Sequence, residues 1–355
     1  MINPAPAYST DDVLLVPQTG ILSSRSEAKI DTVILYNSPM DTVASFDLFD
    51  SLLNTNQAAV SCRFNNNKDR MHELLTYKQY ANYWFTVGAS MEDFRMLKDY
   101  CDKHSGMSLN ICVDVAHGDT LDLHKIYFMY SKQPWCKGLM SGTIATAKSA
   151  LNVFASGCTH IRVGIGPGSA CSTRIVTGCG VPNLTAVNAV YEAFQSCHTS
   201  KASPVIIADG GIRSSGDVVK YLAAGADSVM VGNLLSKTEE SPGWKLNVFR
   251  LFVNLLTLGI CYHNNLCYKQ YRGQASAAFQ KDKVPSSTAA PEGVQANRNY
   301  TRYSYSSFYN NLMKSIRSAI SYLGLEKTSE LSPENVTFTK ITQNGLQESK
   351  PHVLK

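Results

Sequence analysis

The chain has 355 residues, 44% of them hydrophobic, which is enough for a large core and excludes wholesale disorder. Lysine and arginine number 33 against 28 acidic residues, so the net charge of +5 is mild. With no run of five like charges, this argues against a nucleic-acid binder while leaving room for a local anion site.

The predicted elements alternate along the chain. Short β-rich runs fall at 58–62, 84–87, 109–113, 160–163, 205–208 and 228–231. Amphipathic stretches lie between several of them, at 90–104, 186–197 and 216–224. Strand–helix alternation implies a parallel sheet with crossover helices, and its repetition suits a closed (β/α)8 barrel better than an open sheet. The most apolar stretch, 246–260, contains Arg250 and is shorter than the ~20 residues needed to span a bilayer. It is expected to be a buried or partner-facing helix. Residues 281–307 read as an extended loop, 308–323 as a helix, and 335–355 as a polar, aperiodic tail that needs a partner surface. The ten cysteines form no CxxC pair, and the first twelve residues lack the basic and apolar regions of a secretory signal. Reduced thiols and a cytoplasmic location are therefore expected, with no membrane partner.

Chemistry concentrates just after the apolar strands. The segment 162–173 runs from a strand into a turn containing Gly164, Gly166 and Gly168, then presents Ser169, Cys171 and Thr173. Glycines there let the backbone approach a ligand, and a barrel carries its reactive groups on such loops. Asp209 precedes Gly210 and Gly211, and Gly232-Asn233 follows the next strand. Loops after the last two strands of a barrel commonly bind phosphate through backbone N–H groups. Asp209 between them suits a pair of ribose hydroxyls, or else a helix cap. Asp114, Ala116 and His117 follow another strand. Glu292, in the irregular region, would by itself be a solvated loop residue.

Several of these segments together resemble the IMP dehydrogenase/GMP reductase family: 164–183, 11–18, 39–44, 209–217, 238–243, 271–273 and 292–295, in family order. The resemblance implies a single (β/α)8 catalytic domain over 1–355 without inserted CBS-type regulatory domains, with a flap region at 272–307 and square homotetramers. It implies that Cys171 attacks purine C2 and that Thr173 and Glu292 handle the proton. Ser169, Gly211, Gly232, Asn233 and Tyr271 would hold the 5′-phosphate of a purine mononucleotide, and Asp209 its ribose. Gly273 and Gln274 would lie beside the base. Asp114, Ala116, His117 and Gly164 would face the nicotinamide cofactor. Carbonyls of Gly166, Gly168 and Cys171 would bind a potassium ion, completed by Glu348, Ser349 and Lys350 of the partner subunit, which makes the tail 335–355 an interface element.

Departures from the family pattern are Asn233 beside the phosphate, Gln274-Ala275 beside the base, and a longer connection over 244–270. The direction of reaction divides the motifs. The stretch 277–290 is short and has no Arg-Tyr pair to activate water; Arg302-Tyr303 falls after Glu292. That flap and the segment 337–343 resemble GMP reductase, whereas 238–243, 345–352 and 142–147 resemble IMP dehydrogenase. Weighing the flap above general similarity favours NADPH-dependent reduction of GMP to IMP and ammonia. NAD-dependent oxidation of IMP to XMP is the alternative, and a nucleotide-binding protein impaired in catalysis the third reading.

Overall fold

The computed structural model describes residues 5–32, 34–104, 106–196, 203–246, 248–260, 267–299 and 303–351. Its strands are β1 (Val13–Leu15), β2 (Leu35–Asn37), β3 (Ala59–Val60), β4 (Tyr83–Val87), β5 (Leu109–Val113), β6 (Cys136–Ile144), β7 (His160–Val163), β8 (Val205–Asp209), β9 (Ser228–Val231), β10 (Trp244–Leu246), β11 (Cys267–Arg272), β12 (Gln295–Asn299) and β13 (Phe338–Lys340). Its helices are α1 (Phe46–Asn54), α2 (Asn67–Tyr77), α3 (Met91–Lys103), α4 (Leu121–Ser131), α5 (Ala147–Ala155), α6 (Thr173–Thr177), α7 (Asn183–Ser196), α8 (Ser215–Ala223), α9 (Val248–Leu256), α10 (Ala277–Lys283), α11 (Tyr305–Tyr322) and α12 (Gln343–Glu348).

Eight parallel strands, β2 to β9, form one sheet in the order β2-β9-β8-β7-β6-β5-β4-β3. The two ends meet at a parallel bridge between Tyr36 and Ala58, so the sheet closes as a (β/α)8 barrel. Side-chain amides seal this seam, where β3 is only two residues long. The Asn37 amide donates to the Val60 carbonyl at 2.8 Å, and its Oδ1 accepts from the Val60 N–H at 2.7 Å. Gln57 Oε1 accepts from the N–H groups of Ile34 and Leu35.

Alternating side chains divide the core in two. Tyr36, Val60, Trp84, Cys112, Met140 and Ile207 point into the barrel, and their neighbours along the strands pack outward beneath the helices. Helix starts are capped as the residue types demand: the hydroxyls of Ser90, Thr120, Thr146 and Ser214 each accept an N–H from the first turn of the following helix.

The six predicted strands are all present, but β2 and β6 were not legible. The region 281–307 is more regular than a loop, because α10 reaches into it and β12 pairs antiparallel with β11. The tail also finds a partner within its own chain: β13 pairs with β1, and the Ile341 N–H donates to the Asp12 carbonyl at 2.9 Å. The apolar stretch 246–260 forms α9 on the β10–β11 connection and is exposed rather than buried. No helix among the described residues is long and apolar enough to cross a membrane.

Candidate active site

A cavity of about 490 Å³ opens where the strands end. It is lined by residues that follow β2 (Ser38), β5 (Asp114), β7 (Gly164), β8 (Gly210) and β9 (Gly232). This size is ordinary for a small-molecule site. Every residue singled out from the sequence lines it, apart from His117, which is exposed, and Glu348, Ser349 and Lys350.

Cys171 sits on the loop after β7 and is exposed. Its thiol donates to Thr173 Oγ1 at 3.1 Å, and that hydroxyl donates to Glu292 Oε2 at 2.8 Å. The three groups form a continuous path for a proton. Glu292, 121 residues further along the chain, is brought there by backbone pairing. The Ser172 N–H donates to the Glu292 carbonyl, the Val294 N–H donates to the Ala170 carbonyl, and Cys171 and Gly293 form an antiparallel bridge. The segment bearing Glu292 is thus laced directly onto the Cys171 loop.

On the opposite wall, Gly211 has φ +75°, which favours glycine, and a Cβ there would meet Pro167 and the Tyr221 hydroxyl. At Gly232 a Cβ would crowd Ser38, Met40 and the Tyr271 hydroxyl. The bare backbone at both positions makes a cradle suited to an oxyanion. Tyr271, on β11, is buried, and Ser169 Oγ lies 3.5 Å from its hydroxyl. The Asn233 carbonyl accepts the Ser236 hydroxyl, which orients the turn after β9. The Gln274 amide donates to the Pro39 carbonyl and lies on the cavity wall.

Asp209 and Asp114 are joined by a residue that the sequence motif contained but did not explain. Arg162, on β7, donates to Asp209 Oδ2 at 2.9 Å and to Asp114 Oδ1 at 2.9 Å. Arg63 Nε stands 3.8 Å from Asp114 Oδ2. Burial pushes the Asp209 carboxyl up, against the opposing charge of Arg162. Burial likewise works against the Arg162 charge, but the two carboxylates overcome it and hold the guanidinium charged. A further pair at the rim, Arg213 and Asp11, closes at 2.6 Å and draws the Asp11 carboxyl down through that hydrogen bond. Only the alternation of residue types hinted at these links: an arginine placed within a buried strand needs an acidic partner.

The turn with Gly166 and Gly168 is braced from below by Arg174, whose guanidinium donates to the carbonyls of Ile165 and Val181. The Gly168 carbonyl on this turn accepts the Cys171 N–H at 3.0 Å; uncharged main-chain carbonyls as a class suit a large monovalent ion better than a divalent one. Among the described residues no three His, Cys, Asp or Glu are grouped to hold a metal. Glu348 ends α12, which packs near 10–12 of the same chain, and Lys350 acts electrostatically on Asp11.

Comparison with known proteins agrees with this architecture. The family model described as IMP dehydrogenase / GMP reductase domain matches residues 7–352. Proteins named inosine-5′-monophosphate dehydrogenase are similar to the chain. That of Borreliella burgdorferi is 38% identical over 247 residues, 68% of this chain and 57% of the relative. That of Thermoplasma acidophilum is 36% identical over 277 residues, covering 76% and 52% respectively. A Staphylococcus aureus protein is 36% identical over 253 residues, covering 68% and 47%. The chain belongs to the IMP dehydrogenase/GMP reductase family, and it spans about half the length of these curated relatives.

Proposed function

We propose that the chain is a purine nucleotide oxidoreductase that oxidises IMP to XMP with NAD through a covalent bond to Cys171. The observation that carries this reading is the Cys171–Thr173–Glu292 hydrogen-bonded path. The relatives' printed name supports the direction. It weighs against the preference for GMP reduction that the short flap suggested in the sequence.

The 5′-phosphate would rest against the backbone at Gly211 and Gly232 with Ser169 and Tyr271, and Asp209 would hold the ribose. Gly273 and Gln274 would flank the base. Glu292 takes the thiol proton by way of Thr173, and the thiolate bonds to purine C2. A bound nicotinamide, beside Asp114, Ala116 and Gly164, supplies the acceptor for the hydride that leaves C2. Once Glu292 has released the first proton to solvent, water displaces sulfur: the C2–O bond forms, the C2–S bond breaks, and the water proton passes through Thr173 to Glu292 and back along the same path to the departing Cys171 thiolate. The same path that activates the nucleophile therefore supplies a base for hydrolysis, a task that the flap's missing Arg-Tyr pair would otherwise leave unassigned. Gly166, Gly168 and Cys171 would hold potassium by their carbonyls. In a homotetramer, Glu348, Ser349 and Lys350 of the partner subunit would complete that shell.

A second reading, reductive deamination of GMP with NADPH, is favoured by the short segment 277–290, part of which is taken up by α10. The intact path to Glu292 speaks against a chain that only binds nucleotide. The test is absorbance at the nicotinamide band with IMP plus NAD and, separately, GMP plus NADPH. Multiple-turnover XMP formation with no oxidation of NADPH on adding GMP is expected. The reverse result installs the reductase reading, and turnover in neither mixture removes both.

A further inference from the structure

The helix α9 turns its apolar side to water. Val248, Phe249, Phe252, Leu255 and Leu256 recur at helical spacing, so they form one stripe. That stripe and the following Leu258 and Ile260 are 57–91% exposed, whereas Arg250, Asn254 and Thr257 lie half-buried on the opposite side. An amphipathic helix normally buries its apolar side against its own core. Here the other side, which also carries Leu251 and Val253, is the half-buried one.

The size of the stripe decides what kind of occupant it needs. A large aromatic side chain carries about 150–250 Å² and aliphatic ones somewhat less, so these seven residues leave on the order of 1,000 Å² of apolar surface in water. The largest patch on a typical monomer is about 300–600 Å². One side of a stable protein–protein interface contributes about 800 Å². A lipid surface fits poorly: nine residues rise only about 14 Å, and helices lying in headgroups carry several Lys or Arg on their polar side, where α9 has Arg250 alone. A stripe without charge matches the composition of contacts between identical chains. A straight apolar ridge is also self-complementary about a two-fold axis, so one antiparallel pairing of helices buries both stripes.

We propose that α9 is a self-association surface, and that its occupant is the α9 of a second copy of this chain. The helix sits between β10 and β11, and β11 carries Tyr271 into the cavity. Pairing through α9 therefore braces the connection from which one wall of the site is built. The contact acts whether the unit it joins is one chain or a smaller assembly, and in either case removing it halves the particle.

The experiment is light scattering after gel filtration on the full chain and on two double variants, Phe252→Glu/Leu255→Glu and Phe249→Ser/Leu256→Ser. Wild-type far-ultraviolet circular dichroism and a single cooperative thermal transition show that both variants fold. The particle mass should fall twofold in each variant and stay at the wild-type value in Phe252→Leu. Sedimentation with phosphatidylcholine/phosphatidylserine vesicles is measured in parallel. A wild-type mass equal to one chain, or equal masses for the wild type and the folded variants, overturns the proposal. Equal masses together with wild-type vesicle binding that the variants lose would assign the stripe to a membrane surface instead.

Discussion

Cys171 and Glu292 carry the chemistry proposed for this chain, and each is separable from nucleotide binding because the cradle at Gly211 and Gly232 lies on other loops. Cys171→Ala should abolish turnover while leaving the dissociation constant for the mononucleotide little changed, as read by calorimetry. Glu292→Gln keeps the hydrogen bond from Thr173 but removes the base, so turnover should fall about 10²–10⁴-fold. Arg162 is a structural counterpart to both. It stands between carboxylates that are 5% and 9% exposed, Asp114 and Asp209. Arg162→Leu leaves the buried Asp209 unpaired and Asp114 with Arg63 alone, and should cost about 3–5 kcal/mol in urea unfolding. Glu73 supplies a pH signature away from the site. Burial pushes its carboxyl up to about 7, although Tyr83, Ser61 and the nearby Arg70 oppose the shift. Between the unfolded value of about 4.3 and 7 the native state keeps a proton that the unfolded chain has lost. Stability from this group is therefore full below that window and declines as pH rises through it, by up to about 3 kcal/mol. Glu73→Gln should abolish this decline when urea midpoints are compared at pH 5 and pH 7.5.

Elements at the two ends of the chain are held together by pairing that sequence spacing does not reveal. Among the described residues the strand β13 has β1 alone as a neighbour, and α12 packs beside residues 10–12, which include Asp11 at the cavity rim. Truncation after Pro333 removes both elements and leaves the β1 backbone unpaired. A lower melting temperature and reduced activity are expected, together with weaker dependence on potassium if the tail also reaches a neighbouring subunit. Full activity with unchanged potassium dependence would remove that role for the tail. Elements whose identity was legible are those with a dense local pattern. The alternating run 109–113 and the amphipathic turns of α3 fall within a residue of their predicted limits. The strand β6 was missed because it is built from small and polar residues: Gly138, Ser141, Gly142 and Thr143 give no apolar alternation. Their smallness has a tertiary cause, since a Cβ at Gly142 would meet the Val115 side chain at 2.5 Å. The strand β2 is three residues long, too short for a period to register, and is buried only because the barrel closes over it.

At the scale of the whole molecule, barrel closure gathers loops that follow six strands, β2, β3, β5, β7, β8 and β9, around the cavity, and the cation proposed for the Cys171 turn would set the curvature of that loop. Replacing potassium by lithium should therefore lower turnover several-fold without changing the melting temperature of the barrel, as checked by parallel kinetics and calorimetry. Loss of folding on that exchange would instead make the ion a structural part of the barrel.

The sequence by itself determined the barrel class and the family, and it singled out Cys171, Thr173 and Glu292, the residues proposed to carry the chemistry. Those follow from local order: apolar runs followed immediately by glycine and polar residues, and a long Cys171 motif whose members are neighbours along the chain. Only the tertiary structure decided the contacts between segments. Glu292 meets Thr173 across 119 residues, Arg162 joins Asp114 and Asp209 from three different strands or strand ends, and the tail pairs with the N-terminal segment. Orientation was likewise decided there. The apolar character of 246–260 was plain in the sequence, but composition does not state which side of the helix meets water, which depends on what packs beneath it.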